Sequence, residues 1–176
     1  MRDVRAERSE GEPLPETHDR VELLAPAGGP EALVAAVNNR ADAVYLGLSE
    51  LNARRGAANF DLESLAEATR FAHLREARVY LTANVVVLPH ELAPALEMID
   101  AAWSVGVDAV IIQDLGVLRA VRTALPHVRI HASTQIDAMN PDAVLALAEA
   151  GASRVTLARE LSLEAIAACA DTGVEV

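Results

Sequence analysis

The sequence predicts an α/β chain that builds most of a (β/α)8 barrel, with six strand–helix units and the start of a seventh strand. Three observations carry this. From Val21 onward, short apolar runs alternate with longer segments of helical spacing, and strand followed by helix, repeated, means right-handed crossovers and a parallel sheet. Polar residues follow nearly every run, which implies one ring-shaped face, whereas an open sheet gathers them at a single switch point. The composition is 52% apolar but only 3% aromatic, an Ala, Val, Leu and Ile core suited to strands buried on both faces.

Residues 1–19 are polar and carry Pro13 and Pro15 with little to bury, so they read as a disordered leader. Residues 20–176 form the partial TIM-barrel-like domain. Its apolar runs are Val21–Leu24, Ala43–Leu46, Val79–Thr82, Val107–Ile112, Val128–His131, Val155–Leu157 and a last one beginning at Val174. Helical segments centre on Ala32–Val37, Leu62–Ala72, Leu92–Trp103, Leu115–Ala124, Asp142–Ala150 and Leu163–Ala170. Pro30, Pro89 and Pro141 stand where a first helical residue is expected, and Glu31, Glu91 and Asp142 follow them, complementing the helix dipole. Asp61 and Ser162 are N-cap candidates. Gly106, Gly151 and Gly173 stop helices where a left-handed residue is wanted, while Arg40 and Glu76 occupy two corresponding stops and point to strained or differently built turns. A complete barrel needs eight units and usually about 250 residues. An arc of six units leaves parallel edges unpaired, so the chain reads as part of a longer protein, a fragment, or a product that needs a partner subunit to close it.

Charge narrows the function. A net charge of -11 argues against a surface that holds nucleic acid mainly by neutralising phosphates, although a basic segment elsewhere would restore that option. All 15 basic residues are Arg, so lysine Schiff-base chemistry is impossible within this chain. Cys169 is a lone cysteine at helical spacing from Ile166, which suggests a buried structural thiol rather than a disulfide or thiolate metal site. No apolar run approaches about twenty residues, so no membrane span is expected and the cytoplasm is the expected compartment.

Several stretches offer chemistry, each beside a plainer alternative. Glu22-Leu-Leu-Ala-Pro-Ala-Gly-Gly29 leads into a helix at Pro30: either its amides face an anion, or it is only a tight turn. After the second strand, a loop containing Asn52, Arg54, Arg55 and Asn59 is long for a compact domain. Its arginines suit a bidentate clamp on carboxylate or phosphate, or they are solvated. Asn84, Asp114, Gln135 and Glu160 come from four different strand ends and, with Ser133, Thr134 and Arg159, form a candidate polar ring for a planar or polar substrate. The alternative is helix capping, as Asp114 would do before Leu115. His131 and Ser133 share a strand face, and with Asp114 they permit a hydrolase-like trio on paper, but there is no nucleophile elbow. His127 and His131 straddle a strand, and no closed set of metal ligands is visible.

Taken in order, several of these stretches resemble peptidase family U32. The resemblance rests on Glu22-Leu-Leu-Ala-Pro-Ala-Gly28, Ala41-Asp-Ala-Val-Tyr-Leu-Gly47, Asn52-Ala-Arg54 with Asn59-Phe60, Val79-Tyr80 to Asn84, Asp108-Ala-Val-Ile-Ile112, His131-Ala-Ser-Thr-Gln135 and Arg154-Val-Thr-Leu-Ala-Arg-Glu-Leu-Ser-Leu163. It implies a barrel-like N-terminal domain and two competing activities. One is the peptidase or collagenase activity of the family's label, for which His131, Ser133 and Glu160 are the available catalytic groups. The other is oxygen-independent hydroxylation of a transfer-RNA wobble uridine, a ribosomal cytidine or a ubiquinone precursor, with prephenate as oxygen donor in some RNA cases and an iron-sulfur cluster held by cysteines. For that activity Arg54, Gln135, Arg159 and Glu160 are expected to position substrate or oxygen donor. The resemblance places the cluster cysteines after a Val-His-Gly-like segment beyond Val176, and Cys169 matches none of them. No cofactor is therefore expected within this chain, and a cluster only in a longer form. A third possibility is a non-catalytic barrel that binds a ligand or a partner. Arg40 and Glu76 depart from the glycines usual in the family.

Overall fold

The structure, a computed structural model, describes residues 21–48 and 60–176. The proposed leader and the Asn52–Asn59 loop, with Asn52, Arg54 and Arg55, lie outside the described residues. Strands and helices alternate in chain order: β1 (Leu24–Pro26), α1 (Pro30–Asn38), β2 (Ala43–Gly47), α2 (Leu62–His73), β3 (Arg78–Ala83), α3 (Leu92–Ser104), β4 (Ala109–Ile112), α4 (Leu115–Ala124), β5 (Ile130–Ala132), α5 (Pro141–Ala150), β6 (Arg154–Val155) and α6 (Leu163–Ala170). The six strands form one parallel sheet in the order β1-β2-β3-β4-β5-β6, as the alternation predicts. A further parallel bridge between Arg154 and Glu175 marks the start of the seventh strand.

Strand pleating divides the interior into two layers. Val44, Leu46, Val79, Leu81, Val110, Ile112, Ile130 and Val155 face the helices and join Leu65, Ile99, Leu118 and Val144 in the main core. The opposite parity faces the inside of the arc, where Ala43, Tyr80 and Ala109 form a small cluster flanked by Tyr45 and Ile111. One buried polar link crosses the main layer: Asp108, fully buried ahead of β4, pairs with His73 Nε2 of α2 at 2.8 Å and accepts from the Val79 amide at 2.8 Å.

Helix ends follow local chemistry. Asp61 Oδ1 accepts from the Ser64 amide at 2.8 Å and Ser64 Oγ accepts from the Asp61 amide at 3.0 Å, a reciprocal cap. Ser162 and Asn140 cap α6 and α5 in the same position. Pro30 and Pro141 open their helices as expected, but Pro89 does not: it lies in a turn, and α3 begins at Leu92. The proline inside that helix's first turn is Pro94, where a missing amide costs no intrahelical bond. Gly106, Gly151 and Gly173 have left-handed φ, and Arg40 and Glu76 adopt the same conformation at φ 64° and 63°, so those two turns are built like the glycine ones at a steric cost.

Candidate functional site

The C-terminal strand ends, the face where barrels carry chemistry, converge around β5 and β6. Ser133 is buried at the end of β5 and starts a single 3₁₀ turn, Thr134–Ile136. Its Oγ accepts from the Gln135 amide at 3.3 Å and donates to Gln135 Oε1 at 3.4 Å. Thr134 Oγ1 donates to the Leu157 carbonyl at 3.0 Å, and the Ala158 amide donates to the Ala138 carbonyl at 3.0 Å. These two bonds stitch the β5 loop to the β6 loop, and Gln135, Arg159 and Glu160 stand exposed along the seam.

The other candidates have structural partners. Asp114 Oδ1 accepts from the Gly116 and Val117 amides at 2.7 and 3.1 Å, capping α4, and its Oδ2 accepts from Val87 at 3.3 Å, which fastens the loop after β3. Asn84 is half-buried at the end of β3. His131 is buried on the inner face with its ring edge-on to Tyr80, centroids 4.7 Å apart. Burial, with the positive charges of Arg154, Arg129 and Arg78, pushes its pKa down to about 3, so the ring is neutral near pH 7. No hydrogen bond joins His131 to Ser133 or to Asp114, whose carboxylate is occupied by backbone amides.

A second polar constellation fills the opposite, N-terminal end of the interior; the sequence offered Glu22 only as the head of the Glu22–Gly29 turn, and not as a partner of Arg78, Tyr80 and Arg154. Glu22, just before β1, is its centre. Its Oε2 accepts from Arg78 Nη1 at 2.8 Å and from the Tyr80 hydroxyl at 2.7 Å, and its Oε1 accepts from Arg154 Nη1 at 2.7 Å. Arg154 Nη2 also donates to Glu175, and the guanidinium lies 5.3 Å from the Tyr80 ring centroid. Burial opposes ionisation of Glu22, but the bonds from Arg154 and Tyr80 and the two arginine charges outweigh it and hold its pKa below the usual carboxylate value. Burial and the bond to Glu22 push the Tyr80 hydroxyl up to about 12, keeping it a donor. The available signal was positional: Arg78 and Arg154 each stand just before an apolar run and Glu22 interrupts the first one, all three with the parity that faces inward.

The fold and its polar rim define a parallel α/β barrel-type protein. The sequence pattern of peptidase family U32 matches residues 28–176, and the chain belongs to that family. It is 38% identical over 149 residues to the 23S rRNA 5-hydroxycytidine C2501 synthase of Escherichia coli, covering 85% of this chain and 22% of that protein. It is 42% identical over 146 residues to an uncharacterized protease of Methanocaldococcus jannaschii, covering 83% and 35%, and 38% identical over 141 residues to tRNA hydroxylation protein P1 of Bacillus subtilis, covering 80% and 33%. The chain thus spans about a fifth to a third of the length of these relatives. A solved U32 peptidase superposes with a TM-score of 0.69 at 15% identity, covering 94% of this chain and 70% of that one, and an aldolase superposes at 0.58 and 19% identity, covering 77% and 67%. Both show the shared fold.

Proposed function

We propose that this chain is the N-terminal barrel portion of an enzyme that hydroxylates a pyrimidine base in RNA without molecular oxygen, acting in the cytoplasm. The observation that carries this is the 38% identity, over most of the chain, to two relatives named for ribosomal and transfer RNA hydroxylation. In this reading the seam between β5 and β6 holds the base. Gln135 offers a donor and an acceptor to a base edge, Arg159 meets a phosphate or the carboxylate of an oxygen donor, and Glu160 accepts from an exocyclic amine. Because the chain is strongly acidic, phosphate contacts along the RNA fall to the rest of the enzyme.

An iron-sulfur cluster does not fit the described residues. Cys169 is buried and supplies a single thiol, and among the described residues no three His, Cys, Asp or Glu side chains are gathered as a ligand set. The redox group of the proposed reaction would therefore be held outside this barrel portion. The family's peptidase label supports a second reading, and two relatives are named protease or collagenase. That reading needs an activated nucleophile, yet His131 is a very weak base and makes no hydrogen bond to Ser133.

The test is deletion of the gene, followed by mass spectrometry of nucleosides from purified ribosomal and transfer RNA. The expected result is loss of one pyrimidine nucleoside that is heavier than its parent by one oxygen, restored by the intact gene and not by its Arg159→Ala variant. An unchanged nucleoside profile would sink the proposal.

A further inference from the structure

We infer that Gln113 and Thr156, with His131 beneath them, recognise the pyrimidine itself, as an uncharged floor inside the barrel mouth that reads the edge of the base through hydrogen bonds. The inference rests on the RNA reading above and adds contact residues to it. Two of them, Gln113 and Thr156, have no place in the sequence-based polar ring.

Strand register carries it. Ala83, Ile112, Ala132 and Val155 pair side by side across β3, β4, β5 and β6, and all four are buried in the layer that faces the helices. The next residues along these strands are Asn84, Gln113, Ser133 and Thr156, and alternation turns that step to the inner face. The ladder reaches this step: the Ser133 amide donates to the Ile112 carbonyl at 2.8 Å, and the Thr156 amide to the Ala132 carbonyl at 2.9 Å. Four neighbouring strands therefore present one row of two carboxamides and two hydroxyls, without a charge among them. Such a row suits a neutral planar ligand with donors and acceptors on its edge, and it has no cation for a phosphate or carboxylate. Asp114, the sequence-based candidate from β4, stands one residue too far along and is turned to the α4 amides.

The free hydrogen-bonding groups converge on one place. Ser133 Oγ is taken by Gln135, but Gln113, half-buried, and Thr156, exposed, make no side-chain hydrogen bond among the described residues. They flank Ser133 on either side, two strand spacings or about 10 Å apart, a width that admits a pyrimidine ring. The inward row beneath is Thr82, Ile111, His131 and Arg154. Thr82 Oγ1 donates to the Leu46 carbonyl at 3.0 Å, and Arg154 is bonded to Glu22 and Glu175. His131 is thus the polar member of that row with no hydrogen bond among the described residues, although it is only 4% exposed. Tyr80, tied to Glu22, holds its ring edge-on. A buried imidazole with neither nitrogen bonded is costly in the empty protein and has a donor or an acceptor to offer, whichever tautomer it holds. Uracil and cytosine both carry a donor beside an acceptor on the edge that would meet it.

The test returns variants of the gene to cells that lack it and follows, at limiting expression, the rate at which the oxygen-bearing pyrimidine nucleoside reappears in RNA. Gln113→Met and Thr156→Val keep the side chain's shape and remove its hydrogen bonding. Each is expected to slow that rate at least about tenfold, at unchanged protein level and melting temperature. Thr156→Ser, which keeps the hydroxyl, should restore the rate, a rescue that a purely structural role does not predict. His131→Phe should slow it like the first two; if that variant does not accumulate, Gln113→Met and Thr156→Val at the mouth decide. Apolar variants that work at the intact rate, while deletion of the gene still abolishes the nucleoside, would overturn this inference and leave the RNA reading standing. A nucleoside profile unaltered by the deletion itself would overturn both.

Discussion

Replacing Glu22 with Gln keeps the side chain's size and removes its charge from a site where two arginines depend on it. The carboxylate receives bonds from Arg78 at 2.8 Å, Arg154 at 2.7 Å and Tyr80 at 2.7 Å, and the side chains of Glu22, Arg78 and Arg154 are only 16%, 10% and 14% exposed. Breaking a buried ion pair costs about 3–5 kcal/mol, because the surviving charge stays buried without compensation. Here Arg154 keeps Glu175, and glutamine still accepts one or two bonds, so the loss works out at about 2–3 kcal/mol. In a domain of this size that is a fall of roughly 5–10 °C in melting temperature, read by circular dichroism at pH 7. The pH dependence adds a second signature. The folded-state pKa of Glu22 lies below its ordinary 4.5, so its contribution is fully present above about pH 4.5 and is lost as the pH falls through the lower folded value. The wild-type and Glu22→Gln melting curves should therefore converge on acidification. A variant as stable as the wild type at pH 7 would refute the idea that this network holds the strands in their arc.

Two further outcomes follow from the interior. A histidine that is neutral when folded but protonated when unfolded makes unfolding take up a proton, so His131 should lower stability as the pH drops from about 6.5 toward 3. His131→Gln should flatten that limb, and the ring should show no NMR titration above pH 5; a midpoint near 6.5 would contradict its buried, arginine-flanked setting. Asp114→Ala removes the α4 cap and should cost about 1–2 kcal/mol in urea unfolding, with faster hydrogen exchange at the Gly116, Val117 and Val87 amides. Unchanged exchange at Val87 would mean that Asp114 does not anchor the loop after β3.

What the sequence revealed and what it hid divide along physical lines. The strand–helix alternation was legible because each buried parallel strand must be an apolar run, and each helix end must satisfy its own amides within a few residues. Asp61, Ser162, Pro30 and Pro141 are such local devices, and the structure finds them in place. Pro89 misled because a proline suits a turn as well as a first helical residue, and a second proline, Pro94, follows within the same stretch. Asp114 could be read either as a ring member or as a cap, and only the positions of the Gly116, Val117 and Val87 amides show how its oxygens are used. The Glu22 network was invisible for a different reason. A charge beside an apolar run looks like a solvated strand end until the sheet curls and brings residues 22 and 154 into contact.

That curvature links the two ends of the barrel. Glu22 ties the start of β1 to β3 and β6, and Arg154 ties β6 to Glu175, so the network joins three strands and the start of a seventh at the N-terminal end of the sheet. At the upper end the same β6 meets β5 through the Thr134–Leu157 and Ala138–Ala158 bonds, and Gln135, Arg159 and Glu160 are displayed from that seam. Side chains on two loops hold a common ligand only while the loops keep one separation. A perturbation at Glu22 should therefore reach the seam through the strand that both share. Glu22→Gln should speed hydrogen exchange at the Ala158 amide, one of the seam donors, while the Gly116 and Val117 amides held by Asp114 on α4 stay protected under conditions where the fold is retained. Equal loosening of both regions would instead mean that the network stabilises the domain as a whole and sets no geometry at the rim.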